Sequence, residues 1–230
     1  PATEPSRLAN DTHLESCGAA VDGMQAEELD RHLRRAAAGL SRLELLRSLV
    51  APLLERIGRS WKRGEIGIAH EHLAVSVVKG FLLESLRSVG PTPGAPTAVA
   101  GTPAGQHCEL GALMAAVVAA DSGWRVLYLG PDLPMGEIGA AAGKVRADAV
   151  LLSMAVDVPD GDPPGALKRL RRALGDRVAV HAGGRGLRAC RRQIEGLGIT
   201  CHDDLNRLGA ALNGARWAAD RPSGSKSVIR

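Results

Sequence analysis

The sequence is poor in aromatic residues, with one Phe, one Tyr and three Trp in 230 positions, so Leu, Val, Ile and Ala must build any core. Its four cysteines, Cys17, Cys108, Cys190 and Cys201, make no Cys-x-x-Cys pair and have no regular spacing. That argues against a disulfide framework or a zinc ribbon and predicts free thiols in a reducing cytoplasm. No apolar run approaches the ~20 residues a membrane helix requires, and no signal peptide is visible. No Gly-x-Gly-x-x-Gly follows the first predicted strand, which weakens a dinucleotide-binding reading. The net charge of +4 is mild and falls mostly on Arg-rich helix faces and the C-terminal tail. It reads as a solvated surface, since no stretch resembles a recognition helix with clustered basic residues. DNA contact is therefore expected only through a domain not in this chain.

What is present suffices for two domains of ~100 residues each. Residues 1–90 read as all-α. A weak helix spans about Leu8–Ala20, and a second spans Gln25–Gly39 with Leu29, Leu33, Ala36 and Leu40 at helical spacing. Ser41 and Glu44 have the spacing of a capping box for a third helix. Its stripe is Leu46, Val50, Leu53, Ile57 and Trp61, with a kink or break expected at Pro52. The fourth runs from Ile68 to Val89 on a stripe of Ile68, Val75, Val78, Leu82, Leu86 and Val89, and His72 falls on that stripe. Four amphipathic helices with short connections predict a four-helix bundle.

Residues 91–97 read as a Pro/Gly linker. Residues 98–220 then alternate strand and helix, with strands at Ala98–Thr102, Val126–Leu129, Ala149–Ser153, Val178–His181 and Ile199–Cys201. Helices are expected near Glu109–Asp121, Met135–Lys144, Gly165–Leu174, Leu187–Gly196 and Leu205–Ala218. This predicts a Rossmann-like, doubly wound five-stranded parallel sheet, giving an overall class of α plus α/β. Residues 221–230 are expected to form a disordered tail.

A doubly wound sheet takes ligands at the carboxyl ends of its strands. Small and polar residues gather there: Gln106, His107, Cys108 and Gly111 after the first strand, and Leu129, Gly130 and Asp132 after the second. Ser153, Ala155 and Val156 follow the third, and Gly183, Gly184 and Arg185 the fourth. The stretch Gly105–Leu133 resembles the cobalamin-binding domains of methionine synthase and of MerR-type light-responsive repressors. Those share an Asp/Glu-x-His-x-x-Gly loop, a Ser-x-Leu turn and a Gly-Gly pair. Ser153-Met154-Ala155 resembles the turn, with Ala155 departing from Leu, and Gly183-Gly184 matches the pair. In the helical half, Trp61, nine intervening residues and Glu71-His72 resemble the Trp-x9-Glu-His motif of CarH-type photoreceptors. The resemblance spans about residues 20–215. It implies cobalamin as cofactor, adenosylcobalamin favoured and methylcobalamin possible, with Trp61, Glu71 and His72 covering the upper face.

An alignment without gaps, anchored at Gly111, puts Cys108 where the family has its cobalt-ligating His and Gln106 where it has Asp or Glu. A thiolate has no second N–H for a carboxylate to accept, and a neighbouring carboxylate would repel it. A Gln amide could donate to the sulfur instead, and the following helix N-terminus favours an anion. Cys108 is thus the first candidate for the metal ligand, His107 the alternative, and ligation by neither the third option. Lys62 occupies a position where the family often has a His that captures cobalt after illumination. An ammonium is a poor ligand, so the bis-His adduct is not expected, although His70 or His72 could substitute. Zinc is a poor alternative, because His70-Glu71-His72 is not His-Glu-x-x-His and alternate helix positions point apart.

The resemblance implies a sensor rather than an enzyme. What it implies is a switch in which light removes the upper alkyl group, domain packing changes, and homo-oligomers form or dissociate. The rivals are a corrinoid carrier for methyl transfer and a heme or bilin sensor using the same residues. No membrane partner is expected.

Overall fold

A computed structural model describes residues 4–90, 93–155 and 162–219. The chain divides into two compact units, Pro1–Gly90 and Pro91–Arg230.

The first unit is helical: α1 (Glu4–Asp22), α2 (Ala26–Ala37), α3 (Arg42–Leu45), a π-helical segment (Leu46–Val50), α4 (Ala51–Lys62) and α5 (Ile68–Arg87). Its core joins Cys17 and Val21 of α1, Leu29 and Leu33 of α2, Leu49, Leu53 and Ile57, and Val78 and Leu82 of α5. The expected capping box is present at α3: the Glu44 N–H donates to Ser41 Oγ, and the Ser41 N–H donates to the Glu44 carboxylate. The Ser41 hydrogen bonds hold that carboxyl below its ordinary range. The helix does not break at Pro52. A π-helical segment precedes it, and Pro52 falls in the first turn of α4, where a missing N–H costs little. Gly64, at φ +71°, follows α4.

One expectation is corrected in α5. The face buried in this unit is Ala74, Val78, Phe81 and Leu82. Ile68 is 60% exposed and the His72 side chain 73% exposed, so neither lies on the core stripe. The helix interior turns inward only from Ala74, and its first turn projects past the packed core.

The second unit has β1 (Thr97–Pro103), α6 (Leu110–Asp121), β2 (Arg125–Leu133), α7 (Met135–Val145), β3 (Ala149–Ser153), α8 (Pro163–Leu174), β4 (Ala179–Gly183), α9 (Arg191–Glu195), β5 (Thr200–His202) and α10 (Leu205–Ala219). All strand pairs are parallel, in the order β2-β1-β3-β4-β5. β1 begins at Thr97, inside the stretch read as linker. The helix expected over Leu187–Gly196 is instead a 3-10 turn (Arg185–Leu187) followed by the short α9.

Alternation along the strands sorts the two faces. Val99, Val150, Leu152, Val180 and Ala182 share one core with Ile138 of α7, Leu167 and Leu170 of α8, and Ile194 of α9. The intervening residues face the other way, where α6 packs on β1, β2 and β3, and α10 packs on α6. The winding reverses between β1 and β3. Such a reversal opens a crevice at the strand carboxyl ends, and this positions the site.

Candidate functional site

At the reversal point the loop after β1 is held by residues distant in sequence. The buried Thr102 hydroxyl donates to the Gln106 carbonyl and accepts from the Asp132 N–H at 2.9 Å. Asp132 sits at the end of β2 with φ +61°, a left-handed conformation that Asp tolerates better than most residues. Its carboxylate accepts from the Gly105 N–H at 2.7 Å. The Ala104 N–H donates to the Leu133 carbonyl at 2.8 Å. The end of β2 thus clamps the loop that carries His107 and Cys108.

Both of those side chains project outward. Cys108 is exposed, and the His107 side chain is 80% exposed with Nδ1 at 3.6 Å from Asp132 Oδ2. Gln106, between the clamp and the exposed pair, is buried at 1%. Beyond Cys108 the Tyr128 hydroxyl donates to the Glu109 carboxylate, and burial together with that bond raises the Tyr128 pKa well above its ordinary value. Neither Thr102 nor Tyr128 was singled out from the sequence. A hydroxyl on a strand carries no signal until the register Ala100↔Tyr128 and the Asp132 bond are known.

The other strand ends are tightly packed. Ser153 ends β3 and is buried, and a Cβ at Gly111, in the first turn of α6, would overlap its hydroxyl. Gly184 has φ +110°, and a Cβ there would overlap the Met154 carbonyl. Close backbone approach therefore requires glycine at 184, whereas at 111 it is the Ser153 side chain that leaves no room. Leu129 leans on the core, Gly130 has φ +91° with open space beside it, Ala155 follows Ser153 at half burial, and Arg185 is exposed. Val156 lies outside the described residues. Of the sequence-selected residues in this unit, the structure brings together Gln106, His107, Cys108 and Asp132, and separately Gly111 with Ser153.

In the helical unit Trp61 is 45% exposed near the end of α4, next to the exposed Lys62. His72 Nε2 lies 3.6 Å from Glu71 Oε2. Trp61 of α4 and Ile68 at the start of α5 are both exposed large apolar side chains of this unit.

The donor set suits a cobalt-centred cofactor. The exposed His107 imidazole faces a carboxylate at 3.6 Å, and the neighbouring exposed Cys108 thiol adds a soft donor. Among the described residues no cluster of three or more His, Cys, Asp or Glu could hold a free metal ion. A metal arriving already chelated needs only one protein donor.

A helical unit thus precedes a doubly wound parallel sheet that carries such a loop at its reversal point. The fold matches that of the monomethylamine corrinoid protein of Methanosarcina barkeri, with a TM-score of 0.72 at 16% identity over 90% of this chain and 99% of that one. Residues 14–82 match the family model of a B12 binding domain. The chain is 30% identical over 210 residues to the HTH-type transcriptional repressor CarH of Myxococcus xanthus, covering 90% of this chain and 70% of CarH. It is 28% identical to CarA of the same organism over 96% of this chain and 75% of CarA. The chain belongs to the CarA/CarH family. No helix among the described residues is long and apolar enough to cross a membrane.

Proposed function

We propose that the chain is the cobalamin-binding sensor module of a transcriptional regulator, in which light acting on the bound cofactor changes self-association. The observation that carries this reading is the loop Gln106–Cys108, which presents an exposed thiol and an exposed imidazole from a clamped backbone at the sheet's reversal point. Bound adenosylcobalamin would supply a carbon–cobalt bond that visible light breaks.

The chain's residues do the rest. Cys108, at the family's ligand position, would be the first candidate to hold the cobalt, and His107, which faces Asp132, the second. Trp61 would offer a flat apolar surface to the cofactor, and Glu71 and His72 would hydrogen-bond its polar groups. Lys62, where the family often has a His, is a poor cobalt ligand. Light-driven loss of the alkyl group would change what Trp61, Glu71 and His72 contact, and this would bias a two-state surface of the helical unit.

The test is size-exclusion chromatography of the chain loaded with adenosylcobalamin, in darkness and after illumination, with absorbance followed in the visible. The reading expects a bound pigment and a light-dependent change in elution volume. A chain that retains no pigment, or that elutes identically in both states, contradicts it.

A further inference from the structure

The charge of the molecule is unevenly placed. Between Lys168 and Arg192 the sequence has nine basic residues and a single acid, Asp176, whereas the chain as a whole is only +4. The remainder is therefore net negative. Apart from Arg177, in the loop before β4, the basic residues come from α8, the turn after β4 and α9, and the fold gathers these segments in one layer. Leu167, Leu170, Leu187 and Ile194 turn inward to a shared core, and α8 packs against α9.

Two of the nine are committed to the fold. Arg171 donates to the Val178 carbonyl at 2.8 Å, and Arg191 bonds Glu195, Asp203 and the Cys201 carbonyl. Lys168, Arg169, Arg172, Arg185, Arg188 and Arg192 are exposed. None of these six has a carboxylate partner among the described residues; the ion pairs of this layer belong to Arg191. Opposite, α6 carries Asp121 as its only charged residue.

A soluble domain with a scattered surface needs no such concentration. Guanidinium groups on one layer, without carboxylate partners among the described residues, fit a partner with regularly spaced phosphates, which they bind through two parallel hydrogen bonds each. No large exposed apolar side chain lies on α8 or α9, which disfavours insertion into a lipid surface. No aromatic residue lies there to stack on unpaired bases, which disfavours single strands. The CarA/CarH relatives are HTH-type repressors, so a partner of this chemistry stands close by.

We propose that the α8–α9 face binds the phosphate backbone of double-stranded DNA directly and without sequence preference. This contact adds to any made by a separate DNA-binding domain. It runs against the expectation from sequence that these residues are merely solvated. That expectation rested on the mild net charge of the whole chain, which conceals the local excess.

The test is fluorescence anisotropy of a labelled duplex of arbitrary sequence titrated with the chain at several salt concentrations. Four phosphates neutralised would give a slope of log affinity against log salt of about −4. Arg172→Glu with Arg192→Glu should weaken binding at least tenfold and flatten the slope. Arg35→Glu with Arg87→Glu, an equal change in net charge on the helical unit, should have a smaller effect. Circular dichroism verifies that both variants fold. Absence of binding at low salt, equal losses in the two variants, or tighter binding to polyglutamate than to duplex would each overturn the proposal.

Discussion

His107 Nδ1 lies 3.6 Å from Asp132 Oδ2, and the other oxygen of the same carboxylate accepts the Gly105 N–H at 2.7 Å. One side chain from the end of β2 thus fixes the backbone of the donor loop and faces its imidazole. Asp132→Ala removes both effects and should lower cobalamin affinity roughly ten- to a hundredfold. Asp132→Asn keeps an acceptor for Gly105 and tolerates the left-handed φ, but loses the charge. With Cys108 as donor, the Asn variant should bind nearly as the parent does. An Asn variant as weak as the Ala variant would assign the role to His107. Titration of both variants followed by visible absorbance decides it.

Gly111 and Ser153 are matched by shape. Gly111→Ala drives a methyl group into the Ser153 hydroxyl and should cost about 1–3 kcal/mol. Adding Ser153→Ala removes the clashing oxygen, and the helix preference for Ala over Gly then works in the protein's favour. Urea denaturation should show the double variant recovering most of the loss. A double variant no more stable than Gly111→Ala would refute the shape argument.

A buried histidine pair predicts acid sensitivity in the sheet. His181 Nδ1 and His202 Nε2 lie 2.9 Å apart across β4 and β5. Burial, and then His202, depress the His181 pKa from 6.5 to about 4, and burial lowers that of His202 against the opposing pull of Asp203 and Asp204. The folded state needs His181 neutral, whereas the unfolded chain takes up its proton near pH 6.5. Stability from this site is therefore full above that pH and is lost as pH falls toward 4. For a shift of this size the loss is at most roughly 3 kcal/mol. His181→Leu should flatten the urea midpoint over that range; an unchanged acid slope would show that the pair does not control it.

The main-chain plan was legible because it follows from periodicity. Short apolar runs such as Ala149–Ser153 became parallel strands, and Ser41 with Glu44 became a capping box. What escaped depends on contacts between distant residues. Thr102 and Asp132 are 30 positions apart, and nothing local marks either as a clamp. The 3-10 turn at Arg185 interrupts a segment whose composition suits a helix, because Gly184 must follow the Met154 backbone closely. Pro52 was legible as a perturbation but not in its form, since a π-helical segment absorbs the strain without a break. His72 lies at stripe spacing yet outside the core, because spacing does not show where a helix's buried length begins.

The central claim is that the loop after β1 supplies the axial donor to a bound cobalamin. Its most direct measurement is the visible spectrum of hydroxocobalamin bound to the parent chain, to each single variant His107→Ala and Cys108→Ala, and to the double variant. The account predicts a spectrum in the parent distinct from that of free cofactor, and its collapse to the free form in the double variant. A parent that binds no cobalamin, or a double variant with the parent's spectrum, would contradict it.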